Sequence, residues 1–528
     1  MIMNHGYTRR TTLALGGGTL AAALLSGCGG TATTAGKSNG KPVSGGSLTI
    51  GLDAEPTTGF DPQVAQAYND QQIISQFYEG LLSLDDKGQV QPGLAKSYRQ
   101  VDATTHRFTL RDGVTFHDGS KLTTDDVVFS LERLMDPTIK SPFTQQYKIK
   151  KVTAVDATTV EVKLSAPQPS LYHFLARPWS GAIMSKNWTT AHTEDQIKTA
   201  ENGTGPFKLT KWTKGVSIQL AAHTGYWQKP KPYLSSVTYR LIPDETSRVA
   251  SLRSGAVQLM AFRDLRLVDD LKKTAGITEA NGPLVSSVWI NMNTLSGPLA
   301  DKRVRQAFNL AVDRQALIKT LGGGDSATLG YVIPPQDPYG TTPTSADSVY
   351  GQNQAKAREL LRAAGQTKVS LELVAPSDPA YGPDISAMEL MKAQLAQVGI
   401  TLNLKLIPFA TVVPRVLSGD YSNMIMMTSV LNADPSQYLS LWFAKGSPAT
   451  KIKDQHLWDR MAAAAAESDD GKRVTLYHQL AQYIADQCYL MVPYAKAVRG
   501  EAWTDKVGGY RPDATATRLE LKSTWLAS

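Results

Sequence analysis

The chain has 528 residues, 42% of them apolar and 19% charged, and a formal net charge of +8. At roughly 150 residues per domain these proportions describe a folded chain of two to four lobes, and they exclude a disordered or polytopic membrane protein. Two cysteines, Cys28 and Cys488, exclude a disulfide scaffold and a four-cysteine zinc site. The positive surplus is scattered rather than gathered in one run, so it leaves no footprint for nucleic acid.

In chain order, the first signal is for export. Thr8-Arg9-Arg10-Thr11-Thr12-Leu13 forms a positive n-region, and Leu13 to Leu25 is an apolar run too short to span a bilayer permanently. Leu25-Ser26-Gly27-Cys28 follows and resembles the lipobox of bacterial lipoproteins, in which the cysteine is acylated and becomes the new N-terminus. The Arg9-Arg10 pair resembles a twin-arginine signal and is also compatible with a Sec-type n-region. Residues 1–28 are therefore read as a lipoprotein signal peptide and the Gly/Ser/Thr-rich stretch 29–46 as a flexible tether. Cys488, in the mainly apolar stretch Ala481–Tyr494, reads as a buried structural thiol.

From Ser47 onward strand and helix patterns mix. Leu48-Thr49-Ile50 reads as a strand, and Asp70 to Leu84 has apolar residues at helical spacing. Thr105–Leu110 and Thr159–Leu164 alternate as strands do, and Asp-Gly pairs at 112–113 and 118–119 mark tight turns. Thr124-Asp125-Asp126 opens a helix, with Thr124 as its N-cap. Asp301 to Leu321, Gln354 to Ala364 and Asp384 to Val398 read as amphipathic helices, the last closed by Gly399. With strands at 369–374 and 401–406, the segment 369–406 is the clearest βαβ unit. The run Met424-Ile425-Met426-Met427 is striped like a buried strand.

The sequence carries no local catalytic motif. HExxH, a Walker A loop and a GxGxxG before a helix are missing, and no two of the eight histidines lie within four residues of each other. The GxSxG at Gly36–Gly40 and the SxxK at Ser38–Lys41 fall in the tether, which cannot aim a nucleophile.

Several blocks, in order, carry a resemblance. They are Phe108-Thr109-Leu110-Arg111-Asp112-Gly113-Val114-Thr115-Phe116-His117-Asp118-Gly119, then Thr124-Asp125-Asp126-Val127-Val128-Phe129-Ser130, then Gly203-Thr204-Gly205-Pro206-Phe207 leading through Tyr226-Trp227 to Leu252-Arg253-Ser254-Gly255. Asn291-Met292-Asn293-Thr294, Arg303-Val304-Arg305-Gln306-Ala307, Ala311-Val312-Asp313-Arg314, Pro493-Tyr494 and Gly508-Gly509-Tyr510 follow. Over residues 47–528 the chain resembles the family 5 solute-binding proteins of ABC importers, the peptide- and nickel-type group. Read one at a time, the blocks are turn chemistry and local ion pairs that shape a scaffold.

The resemblance implies an α/β, two-lobed periplasmic-binding-protein-like fold of the cluster C type, with an inserted subdomain in the first lobe. Lobe I maps to 47–80, 204–290 and 497–528, the insert to 81–203, and lobe II to 291–496. It implies a monomeric, non-enzymatic, cofactor-free binding protein that closes on its ligand by hinge motion. The protein would be lipid-anchored outside the cytoplasmic membrane and would serve an ABC permease and its ATPase. The family's peptide binders hold the ligand's α-ammonium with an aspartate four residues before a proline; counted back from Pro435, that position is Leu431. A buried ammonium without a counter-charge costs several kcal/mol, so either another acid substitutes or the ligand is a metal chelate, opine, sugar or haem. Asp434 matches a position the family often fills with an acid. The remaining expected ligand contacts are Tyr68, Asn69, Phe409, Thr428, Ser429, Asn432 and Tyr494. The segment between His223 and His456 has no histidine, which disfavours a nickel complex. A secreted hydrolase and a transporter-free surface sensor are the readings from other classes.

Overall fold

The computed structural model describes residues 40–65, 67–86, 88–282, 286–321, 327–328, 330–334, 339–340, 351–377, 383–430, 434–497, 499–513 and 519–527. The lipobox Cys28 and the expected ligand contacts Leu431 and Asn432 lie outside them.

Three sheets organise the chain. The first has seven strands in the order Ile277–Asn281, Gly500–Thr504, Leu259–Phe262, Ser47–Leu52, Ser236–Leu241, Ser217–Ala222 and Phe207–Thr213. Its central strand Ser47–Leu52 runs parallel to both neighbours, and Leu48, Ile50 and Leu52 point alternately into the core. A four-stranded antiparallel sheet, Ala95–Asp102, Thr105–Leu110, Thr159–Leu164 and Ile149–Ala154, lies in the segment expected as the insert, and its buried residues join the first sheet's core.

The other seven-stranded sheet runs in the order Ala327–Thr328, Ala495–Lys496, Ser286–Met292, Met424–Val430, Val369–Pro376 and Ile400–Ile407, with Leu490–Met491 also pairing to Ser286–Met292. The expected βαβ unit is present: Val369–Pro376 and Ile400–Ile407 pair in parallel, Val369 opposite Ile400, around the helix Ile385–Ala396. Both faces of this sheet are covered. Val288, Ile290 and Met292 pack with Met388 and Met391, whereas Trp289 and Ile425 pack with Tyr438, Phe443 and Leu480. Double-sided burial explains why Met424 to Met426 reads as a continuous apolar run. The strand Ser286–Met292 lies entirely within this sheet, so the boundary expected after 290 falls inside a strand.

Several local expectations need correcting. The helix expected from 70 to 84 spans Tyr68–Phe77, and Leu82–Leu84 instead pairs with Val90–Pro92. The loop between them is apolar because it is buried: a Cβ at Gly80 would lie 2.2 Å from the Leu175 carbonyl oxygen. The segment 301–321 is two helices, Lys302–Leu310 and Arg314–Leu321. At the break, Gln394 Oε1 accepts the Asp313 N–H at 2.9 Å, and the Arg314 guanidinium turns back onto Asn309 Oδ1 and the Val492 carbonyl. The helix Thr124–Met135 is capped by Thr123, whose backbone N–H and hydroxyl both donate to Asp126 Oδ2 at 2.8 and 2.7 Å.

Candidate functional site: the edges of two sheets

The motif blocks meet first as scaffold. Glu79, just past the helix Tyr68–Phe77, accepts hydrogen bonds from Tyr226 Oη at 2.8 Å, Trp227 Nε1 at 2.9 Å and Thr204 Oγ1 at 3.1 Å. Burial raises its carboxyl pKa, and the three donors oppose the shift. Glu201 does the same for the other half of the block. Its Oε2 meets His117 Nδ1 at 2.6 Å and the Gly203 N–H at 3.0 Å, while its Oε1 takes the Leu209 N–H. Gly203 is needed because a Cβ there would stand 1.9 Å from the Phe77 carbonyl oxygen. These residues tie strand to helix.

Just before the first sheet's strand Gly500–Thr504, the Arg499 guanidinium lies 3.6 Å from the centre of the Tyr68 ring. Arg499 Nε donates to Glu501 Oε1 at 2.9 Å, and Tyr510 Oη donates to Glu501 Oε2 at 2.6 Å. The Tyr68 hydroxyl is buried with no hydrogen-bond partner among the described residues, and burial pushes its pKa up against the opposing Arg499 charge. Asn69 is buried and donates from Nδ2 to the Ala54 carbonyl at 2.9 Å.

On the second sheet, Thr428 and Ser429 lie on Met424–Val430, opposite Val288 and Ser287. Thr428 is half-buried. Along the facing strand, Ser287 Oγ, Trp289 Nε1 and both amide atoms of Asn291 are buried without hydrogen-bond partners among the described residues. Phe409 is half-buried and begins the helix Phe409–Ser418. Tyr494, expected at the ligand, is fully buried in the second sheet's core, and its hydroxyl accepts the Asp384 N–H at 3.1 Å. In this conformation it positions the helix Ile385–Ala396.

Asp434 is committed elsewhere. It caps the helix Pro435–Phe443 through the Ser436 N–H and hydroxyl. Arg473 grips both its oxygens, Nη1 to Oδ2 at 2.6 Å and Nη2 to Oδ1 at 2.8 Å, with the two side chains 2% and 0% exposed. Burial works against the Arg473 charge, but the Asp434 contact outweighs it and raises its pKa. From the four-stranded region, Arg177 Nη2 donates to Gln437 Oε1 at 3.2 Å, joining that region to the second-sheet side.

A further group of charges sits where the chain passes between sheets. Lys496 ends the strand Ala495–Lys496 of the second sheet, and the first sheet resumes at Gly500. Asp264 caps the helix Leu265–Leu271 beside the first sheet, and Arg266 Nε and Nη2 hold its carboxylate at 2.9 and 2.8 Å. Asp384 caps the helix Ile385–Ala396 beside the second, accepting the Ala387 N–H at 3.0 Å.

Two seven-stranded sheets joined by segments that cross between them are the framework of a two-lobed binding protein of the periplasmic type. The chain belongs to the bacterial extracellular solute-binding proteins, family 5, whose profile matches residues 89–449. It is 28% identical over 453 residues to the dipeptide-binding protein of Escherichia coli K12, covering 78% of this chain and 83% of the relative. The glutathione-binding protein GsiB of the same strain is 30% identical over 345 residues, 65% of this chain and 66% of GsiB. The solved structure of AgaA in complex with agropinic acid, from A. tumefacien R10, superposes with a TM-score of 0.75 at 27% identity, over 92% of this chain and 99% of that one. The chain is therefore a substrate-binding protein of the ABC-importer type, from a family of extracytoplasmic binding proteins rather than enzymes.

Proposed function

We propose that this protein captures a peptide or similar polar small molecule between lobes built on the two seven-stranded sheets, and delivers it to a membrane permease powered by a separate ATPase. The lobes follow the division expected above, with the first crossing shifted to before Ser286, and a lipid on Cys28 tethers the protein outside the cytoplasmic membrane. The observation that carries this reading is family membership together with a fold of two seven-stranded sheets between which the chain crosses. Closure gains its driving force because only the closed form touches the ligand from both sides. The relatives named for dipeptide and glutathione, and the structure holding agropinic acid, set the range of ligands to try.

A second reading, a non-peptide ligand on the same scaffold, is favoured by one feature: Leu431 stands where a peptide binder would have an aspartate, and Asp434 is already occupied by Arg473. Native mass spectrometry of the purified protein tests both readings. A ladder of short peptides supports the first, and a single non-peptide compound supports the second. If no guest is found, and no peptide, opine or glutathione binds on titration, the capture reading fails. Labelling with radioactive palmitate, lost in Cys28→Ala, tests the anchor.

A further inference from the structure

The region of the four-stranded sheet carries an open groove of about 390 Å³, within the range of roughly 300–1,000 Å³ typical of small-molecule sites. Its apolar lining is Phe129, Ile139 and the buried Ile197. The C-terminal turn of the helix Thr124–Met135 contributes Glu132 and, at its C-cap, Asp136, four positions apart and so on one face. The short helices Lys186–Thr190 and Glu194–Ile197, with the turn between them, supply Thr189, His192 and Glu194.

The basic residues on these helices and their caps are committed elsewhere. Arg133, also in the lining, holds the Asp61 carboxylate at 2.7 and 3.2 Å and Gln63 Oε1 at 2.7 Å. Lys186 pairs with Asp125, and Lys198 with Asp195. Among the described residues, Glu132, Asp136 and Glu194 are left without an ion pair. Asp136 has a local role, accepting the Thr138 N–H and hydroxyl on Oδ1 at 2.8 and 2.7 Å. Glu132 has none among the described residues, and it stands in the last turn of its helix, where the dipole and a like charge four positions on both disfavour an acid. Thr189 is 5% exposed, and its hydroxyl has no hydrogen-bond partner among the described residues. His192 stacks on Trp188 with ring centres 4.2 Å apart and points Nδ1 at the Trp188 carbonyl at 2.7 Å. Nδ1 therefore carries a proton, and the uncharged ring keeps Nε2 as an acceptor.

Acceptors with no uncommitted cation among them receive ammonium groups and repel a carboxylate. The acids are also too spread for one ion, since no group of three or more His, Cys, Asp or Glu among the described residues is placed to hold a metal. Separated carboxylates joined by an apolar strip match ammonium groups separated by methylenes. We propose that this groove is a second binding site, for a linear polyamine. One ammonium meets Glu132 and Asp136, another meets Glu194 with Thr189 and His192, and the methylene chain lies over Phe129, Ile139 and Ile197. None of the residues expected at the captured solute lines the groove, so the site goes beyond solute capture and does not depend on it.

The test is calorimetric titration of the full mature protein with spermidine, cadaverine, pentylamine, lysine and magnesium chloride. The variants are Glu132→Gln and Glu194→Gln, both at exposed side chains. The expected result is saturable binding of spermidine and cadaverine, about fivefold or more tighter than pentylamine, which has one ammonium. Lysine, the same diamine skeleton with a carboxylate added, should bind no better than pentylamine. Each variant should bring cadaverine down to the pentylamine level while its circular dichroism matches the wild type. Binding of pentylamine, lysine or magnesium as tight as that of cadaverine overturns the site. So does amine binding that either variant leaves unchanged, or no saturable amine binding at all. Each of these outcomes leaves solute capture standing.

Discussion

The occupied state of Asp434 makes a sharp prediction. If the carboxylate supports the second lobe rather than waiting for a ligand's ammonium, removing it should cost stability and leave affinity alone. Asp434→Ala deletes an N-cap, worth about 1 kcal/mol. It also strands the Arg473 guanidinium, which is 2% exposed and loses both of its charge-assisted contacts. Breaking one side of a buried pair costs about 3–5 kcal/mol. Arg473 keeps Tyr339 Oη at 2.7 Å, the Ala464 carbonyl at 3.2 Å and the ring faces of Tyr339 and Tyr477, so the lower end of that range applies. The expected total is about 4 kcal/mol. If the second lobe melts as a unit of about 200 residues, its midpoint should fall by roughly 8–16 °C. Asp434→Asn, which keeps the cap and one acceptor, should fall by about half as much. Calorimetry following the two lobes' transitions, together with titration of any ligand that binds the wild type, checks this. A shift under 2 °C with a tenfold or greater loss of affinity would refute the assignment and place Asp434 in the ligand site.

Other expectations concern the scaffold. Glu79→Ala leaves the Tyr226, Trp227 and Thr204 donors unsatisfied and should cost about 3 kcal/mol by thermal melting, whereas Glu79→Gln should cost less because its amide oxygen still accepts. His223 titrates near 4 because of burial and the neighbouring His117. Its unfolded form, titrating near 6.5, therefore takes up the proton first, and the stability held above pH 6.5 is lost as pH falls toward 4. That loss is about 2 kcal/mol after solvent screening. His223→Gln should flatten this part of the pH–stability curve, and an unchanged slope would count against the assignment. Burial pushes the Cys488 thiol up to about 12, so iodoacetamide at pH 8 should label it only after denaturation, and rapid labelling of the native protein would contradict that.

Much of the architecture can be read locally. The βαβ unit around Ile385–Ala396 is legible because each strand carries its own apolar run and the helix its own cap at Asp384. The tight turns and the Thr123–Asp126 box are equally local, as their partners lie within a few residues. Where the sequence misled, a tertiary contact had overridden a periodic pattern. The apolar stretch after Phe77 is buried loop rather than helix, and the helix expected through 311–313 is broken by Gln394 and by Arg314 reaching back to Asn309 and across to Val492.

The class of the protein is legible along the chain, because family membership is carried by blocks in order and each block keeps its turn and cap chemistry wherever it sits. The tertiary structure alone decided what those blocks are for. Glu79 gathers Thr204, Tyr226 and Trp227 from more than a hundred residues away, and Arg473 claims the carboxylate of Asp434. The physical reason is range. Turns, caps and helical faces depend on neighbours a few positions apart, but the partner of a buried charge is set by how distant segments pack.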